Sequence, residues 1–336
     1  MKLRQLKDLL PQLKEALSQR GSKIVVSGSY EIAVDPNNFF SVTPLPSSNS
    51  VVFIDGGNAE VIGAVNVSLQ MIRLAASTYK CNTQESFLRK ESFCLTTTVP
   101  KKGQLFFKTS MTPNLVDVPV FSIQDPTIAP KRGLPSVSLM PEIARRFAEI
   151  SLATEALVSL ERDDVVVMDG LLSPRYTGED LLIEDLLAKA KHKGITILGL
   201  AKTSRLMTEA GDSAMDALAS VSPGGLWRYS SPADKQSITT HFVRLHPNST
   251  HVFRLEVPSF CLDNLDEALS TLASQSTDPI FLGYPYGLIA ADKLARVSNH
   301  EQEYLRLALQ SVAGKDFKDI AQAMRSIDAH QILDSM

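Results

Sequence analysis

The chain has few cysteines: Cys81, Cys94 and Cys261 are the only three in 336 positions. An odd, widely scattered set excludes a disulfide scaffold and a cysteine-based zinc site, and fits a reducing compartment. No run of eighteen apolar residues occurs, so no hydrophobic segment of membrane length is present. The opening stretch MKLRQLKDLLPQLKEAL carries charges throughout, unlike a signal peptide, and a cytoplasmic location with no membrane partner is expected. Positive charge is not in excess either, since 34 Lys and Arg face 37 Asp and Glu for a formal net charge of −3. Any nucleic-acid binding must then come from local patches. Glycine-rich phosphate loops are missing, which leaves a nucleotide cofactor without support. The Gly-x-Ser-x-Gly elbow of a serine hydrolase is missing as well.

What is present is apolar mass. Hydrophobic residues make up 44% of the chain, enough for a substantial core in one large domain or two. Residues 2–19 repeat leucine at helical spacing (Leu3, Leu6, Leu9, Leu10, Leu13, Leu17), and Pro11 is expected to kink or divide that helix. GSKIVVSGSYEIAV reads as a short strand, and residues 35–50 as a turn-rich loop. A strand is expected over 51–55, then a tight Gly-Gly-Asn turn and a second antiparallel strand over 61–76. ESFCLTTTV completes a meander. Residues 100–140 hold several prolines and read as a surface excursion. Pro141 opens a long helix, and DDVVVMDGLLSP is a buried strand ending on Asp169-Gly170. A helix over 179–193 and the strand GITILGLAKTS complete a βαβ unit. After a helical stretch near 206–220, SITTHFVRLHPNSTHVFRLEVP reads as a hairpin turning at 247–250. Helices over 265–275, 288–297 and 301–313 and a short strand over 280–283 close the chain.

Two similar units stand out: VVFIDGG at Asp55 and VVVMDGLL at Asp169. Each ends a buried strand on a carboxylate, where α/β sheets gather ligands. Alone, a strand-end Asp before Gly is most simply a turn or cap residue. Two of them on neighbouring strands would repel unless a cation neutralised them. An oxygen-only site suits a hard ion such as Mg²⁺ or Mn²⁺. The order strand with Asp, two antiparallel strands, helix, strand with Asp is the ribonuclease H-like arrangement. The fold class expected is therefore α/β: a mixed sheet, antiparallel meander plus parallel strands, flanked by helices and carrying insertions. Glu149 and its rival Glu155 lie on the intervening helix, each readable equally as a solvated glutamate. Asp292, in the helix after Tyr284-Pro285-Tyr286-Gly287, is either a further ligand or an ordinary exposed Asp near a helix N-terminus. Lys202, with Thr203 and Ser204, is placed to meet a phosphate or to sit as a loop lysine. His241, Arg244, His246, His251 and Arg254 either line a backbone-binding groove or form the polar face of a hairpin.

The blocks FIDGG, RRFAEISLA, VVVMDGLL, GLAKTSR, FRLEVP and GYPYGLIAADKLARVS, in that order from about residue 50 onward, resemble the NurA nuclease family. The resemblance implies a metal-dependent DNA nuclease of the 5′–3′ exonuclease and single-strand endonuclease type. It implies a homodimer acting in end resection and double-strand break repair with a HerA-type hexameric ATPase. It places metal-binding and catalytic roles on Asp55, Asp169, Glu149 and Asp292, an active-site role on Tyr284, and a two-ion Mn²⁺ or Mg²⁺ site. Lys202, Arg244 and Arg254 become candidate contacts to single-stranded DNA or duplex ends. Residues 1–50 would form an N-terminal extension for dimer or partner contacts, and residues 51–336 the nuclease domain with an insertion over 100–140. The first motif departs from the commoner Asp-Gly-Ser in having Gly57. A catalytically weak adaptor that binds DNA and a translocase ring is the competing reading.

Overall fold

The computed structural model describes residues 2–18, 21–27, 30–130, 133–202, 206–230 and 237–322. In chain order, helix α1 (Lys2–Ser18) precedes strands β1 (Lys23–Ser27), β2 (Tyr30–Ala33) and β3 (Phe39–Ser41). Four long or medium strands and a short one follow: β4 (Val51–Ala64), β5 (Val67–Lys80), β6 (Thr83–Lys101), β7 (Gln104–Thr112) and β8 (Phe121–Ser122). Then come α2 (Met140–Ala156), β9 (Val165–Asp169), α3 (Glu179–Lys193), β10 (Thr196–Ala201), β11 (Met207–Thr208) and α4 (Ala214–Val221). The last part holds β12 (Trp227–Ser230), β13 (Ile238–Arg244), β14 (Phe253–Pro258), α5 (Leu265–Ser274), α6 (Tyr286–Ala295) and α7 (Asn299–Ala313).

These elements pack as two compact units. The larger takes Ser48–Met168, Ser173–Ile197 and Gly287–Met336, and the smaller takes Met1–Ser47, Asp169–Leu172 and Leu198–Tyr286. In the larger unit β4 to β8 pair antiparallel in succession, and β9 lies parallel to β4 with Val51 opposite Val165 and Ile54 opposite Met168. A three-strand meander, a helix packed on it and a parallel strand form the ribonuclease H-like core that the sequence leads one to expect. The four residues Val51–Ile54 are all buried, as a strand covered on both faces requires. Along α2, Ile143, Phe147 and Ile150 recur at helical spacing and are buried against the sheet.

The turn expected at Gly56-Gly57-Asn58 does not form. Strand β4 runs through it to Ala64, and the chain turns at Val65-Asn66 instead. Neither glycine has positive φ; both are used for close approach of helices rather than for turning. Residues 100–140 are less of an excursion than the prolines imply. Strand β7 joins the sheet, and Phe107, Phe121, Ile128 and Val137 form one apolar cluster with Met140, Ile143 and Phe147 of α2. Pro11 does not divide α1, which continues through it.

In the smaller unit β1 pairs with both β2 and β11, and the strand order β3-β12-β13-β14-β10 is antiparallel throughout. Ile24, Ile32, Leu218, Trp227, Tyr229 and Phe242 make its core. The hairpin β13–β14 is as the sequence predicts. The strand expected over 280–283 is a turn instead: the Asp278 carboxylate accepts from the Ile280 N–H at 2.8 Å, and Gly283 has φ of +92°.

Candidate metal centre

Each unit presents part of the predicted site. In the larger unit Asp55 sits at the point where β4 stops being fully covered, and it is only 6% exposed. The Gly56 N–H donates to its Oδ1 at 2.7 Å. Asp292, on α6, is exposed, and a carboxylate oxygen of each residue lies within 4.8 Å of the other. The two flank a cleft of about 340 Å³ that is also lined by Gly57, Asn58 and Arg296. Glu149 comes to the other side of the strand. Its carboxylate lies against Gly56 and pairs with Arg145, whose Nη1 also donates to the Gly56 carbonyl at 2.8 Å. Glu155 is exposed and pairs with Lys90, so of the two helix acids Glu149 is the one that reaches β4, at Gly56.

A residue passed over in the sequence holds the far wall of the cleft. Arg73, buried on β5, donates to the Arg296 carbonyl at 2.7 Å, pairs with Glu91 at 2.7 Å and pairs with Glu301 at the start of α7. The hydrogen bond from Arg73 holds the Glu301 carboxyl below the usual range, and the same bond raises the Arg73 guanidinium. Its only signal in the sequence is a lone arginine within the apolar run of residues 71–76.

In the smaller unit Asp169 has two protein partners. The Tyr284 hydroxyl donates to its Oδ1 at 3.1 Å, and Lys202 Nζ pairs with its Oδ2 at 2.7 Å. Tyr284 is wholly buried, stacked on Phe281 with ring centroids 4.9 Å apart and tilted against Phe253 at 5.3 Å. Packed in this way, the ring presents its hydroxyl to Asp169. After Asp169 the chain turns through Gly170 at φ +108°, and buried Glu256 accepts the Leu172 N–H at 2.8 Å.

The polar hairpin residues have partners within the hairpin and its neighbours. Arg254 pairs with Glu256 at 2.7 Å, and Arg244 donates to the carbonyls of Ser249 and Pro247, closing the hairpin loop. His241 is buried between the hydroxyls of Ser230 and Thr239. The Asn248 N–H meets the His246 ring, and His251 packs edge-on to Phe281. Thr203 and Ser204, the expected companions of Lys202, lie outside the described residues.

A family model, the NurA domain, matches residues 49–297. The chain belongs to the NurA family. The crystal structure of the NurA nuclease from Sulfolobus solfataricus is similar at a TM-score of 0.56 and 14% identity, covering 94% of this chain and 96% of that one. The catalytic domain of human Endonuclease V aligns over 92% of this chain and 97% of its own length, at 14% identity and a TM-score of 0.38. No significant match occurs among curated proteins. Membership of the NurA family supports a nuclease activity, and divalent metal use with it. Among the described residues no helix is long and apolar enough to cross a membrane.

Proposed function

We propose that the protein is a divalent-metal-dependent DNA nuclease whose ion site is built on Asp55, Asp169 and Asp292, with Glu149 and Tyr284 supporting it. The observation that carries this reading is the approach of the Asp55 and Asp292 carboxylates to within 4.8 Å in a cleft of a NurA-family chain. Like charges this close are unfavourable without a counter-cation, and an oxygen-only donor set fits Mn²⁺ or Mg²⁺. The third ligand is supported by the sequence, in which Asp55 and Asp169 each end a similar buried apolar run. Bound ions at such a site lower the pKa of a water and neutralise charge on a leaving 3′ oxygen.

The chain's own residues set the stage for that chemistry. The Gly56 N–H and the Tyr284 hydroxyl fix the carboxylates of Asp55 and Asp169. Lys202 balances Asp169 and is placed to meet a phosphate oxygen. Arg145 pairs with Glu149 beside Gly56. In the same reading the protein trims DNA ends as a 5′–3′ exonuclease and single-strand endonuclease in double-strand break repair. It works in the cytoplasm as a homodimer with a HerA-type hexameric ATPase. The exposed leucines of α1, Leu6, Leu9, Leu10 and Leu13, offer an apolar face for such contacts. The test is cleavage of labelled single- and double-stranded DNA with and without Mn²⁺, by the parent and by Asp55→Ala.

A further inference from the structure

We propose that Gly57 is a positioning residue of the metal site: its missing side chain sets how closely the end of α6 approaches β4, and so the spacing of Asp55 and Asp292. The inference rests on the reading of those two aspartates as ligands. Successive strand residues point to opposite faces. Gly56 faces α2, where a Cβ would meet the side chains of Glu149 and Arg145. Gly57 faces α6, where a Cβ would meet the Ala295 carbonyl oxygen, its carbon at 3.0 Å and Arg296 Cα at 3.5 Å. These are backbone atoms, so no side-chain rotation makes room. The φ of Gly57 is not in the left-handed region, and its role is therefore steric rather than conformational.

The helix end cannot easily yield in the other direction either. The Arg296 carbonyl accepts from Arg73, and the Arg296 N–H donates to the Asp292 carbonyl at 2.9 Å, which ties the contact point to Asp292 by one helical turn. Two oxygens on one cation at about 2.0–2.6 Å each are at most roughly 5 Å apart. The Asp55 and Asp292 oxygens lie within 4.8 Å of one another, and a displacement of α6 away from β4 by a methyl group widens that separation against this limit. Gly57 thus lets a short carboxylate on a helix share an ion with a strand aspartate.

The experiment is Mn²⁺ titration of the full chain without DNA, by calorimetry or by the loss of the free-ion electron paramagnetic resonance signal. Circular dichroism checks the fold of each variant. Asp292→Ala is expected to weaken binding, and Gly57→Ala to weaken it by about 10–100-fold. In the Gly57→Ala background Asp292→Glu is expected to restore binding by about tenfold, its extra methylene spanning the added gap. In the parent the same Asp292→Glu is expected to weaken binding, because the helix stands too close for it. Parent-like binding by Gly57→Ala, or no rescue by Asp292→Glu, overturns the inference while leaving Asp292 a ligand. Parent-like binding by Asp292→Ala overturns the ligand reading and this inference together. Should Gly57→Ala fail to fold, Asp292→Glu alone decides, and unchanged or tighter binding counts against the proposal.

Discussion

Asp55 ends four buried apolar residues, and its carboxylate meets a backbone N–H and the lining of the cleft. Tyr284 shows how different a role burial can assign. Its ring fills the space beside Phe253 and Phe281, while its hydroxyl fixes Asp169. Tyr284→Phe keeps the packing and loses one charge-assisted bond, so a stability loss of about 1.5–3 kcal/mol is expected in a denaturant titration. Nuclease rate should fall with it. Tyr284→Ala opens a cavity as well and should cost about 3–5 kcal/mol. A Tyr284→Phe protein as stable and as active as the parent would mean that the hydroxyl is idle. Arg254 is a second case. Removing it strands buried Glu256, so Arg254→Ala should destabilise by about 3–5 kcal/mol in the same titration. A stable variant with weakened DNA affinity would instead restore its role as a DNA contact.

At this scale the sequence was legible where a charge interrupted an apolar run. Asp55 and Asp169 show that way, and so does the hairpin over 238–258. The partners of Tyr284 and of the hairpin cations are not legible there, because single-sequence patterning does not say whether a polar tip meets solvent or a buried partner. Arg145 and Glu149 illustrate the same limit. Four residues apart on a helix, they look like a solvated ion pair, yet the carboxylate is buried against the backbone of Gly56.

At the scale of elements, the glycines of β4 carry the argument. They were read as a turn because Gly-Gly-Asn between apolar runs usually is one. In the fold they let α2 and α6 approach one strand from opposite faces. Proximity of helices across a strand is a tertiary fact, invisible to local pattern. The segment between α6 and α7 is then fixed by the Arg73 cluster, and this gives a pH prediction. The folded-state pKa of Glu301 lies below its ordinary value of 4.5. Its contribution to stability is therefore present above that value and is lost as pH falls through the depressed folded pKa. In thermal melts, the margin of the parent over Glu301→Gln should be constant from neutral pH down to about the ordinary carboxylate range and shrink below it. A margin that grows on acidification would contradict the pairing.

At the scale of the molecule, the fold class was the most legible feature, because strand–strand–strand–helix–strand order survives local errors in turn placement. Residues 100–140 were less so: β7 and the cluster around Phe107 and Phe121 are held by packing on α2, which the prolines obscure. The whole-chain charge also constrains function. With a net charge of −3 and all three expected DNA cations engaged with internal partners, the isolated protein should bind DNA weakly and with steep salt dependence. Fluorescence anisotropy with labelled single strands between 50 and 200 mM salt measures this. Nanomolar affinity that ignores salt would contradict it.

The central claim is that the carboxylates gathered around Asp55 make a divalent-ion site for phosphodiester cleavage. Cleavage of end-labelled DNA by the parent and by Asp55→Ala, each with Mn²⁺ and with chelator, tests it most directly. The account predicts Mn²⁺-dependent cleavage by the parent and loss of it in a folded Asp55→Ala protein. Cleavage that persists undiminished in Asp55→Ala would contradict it.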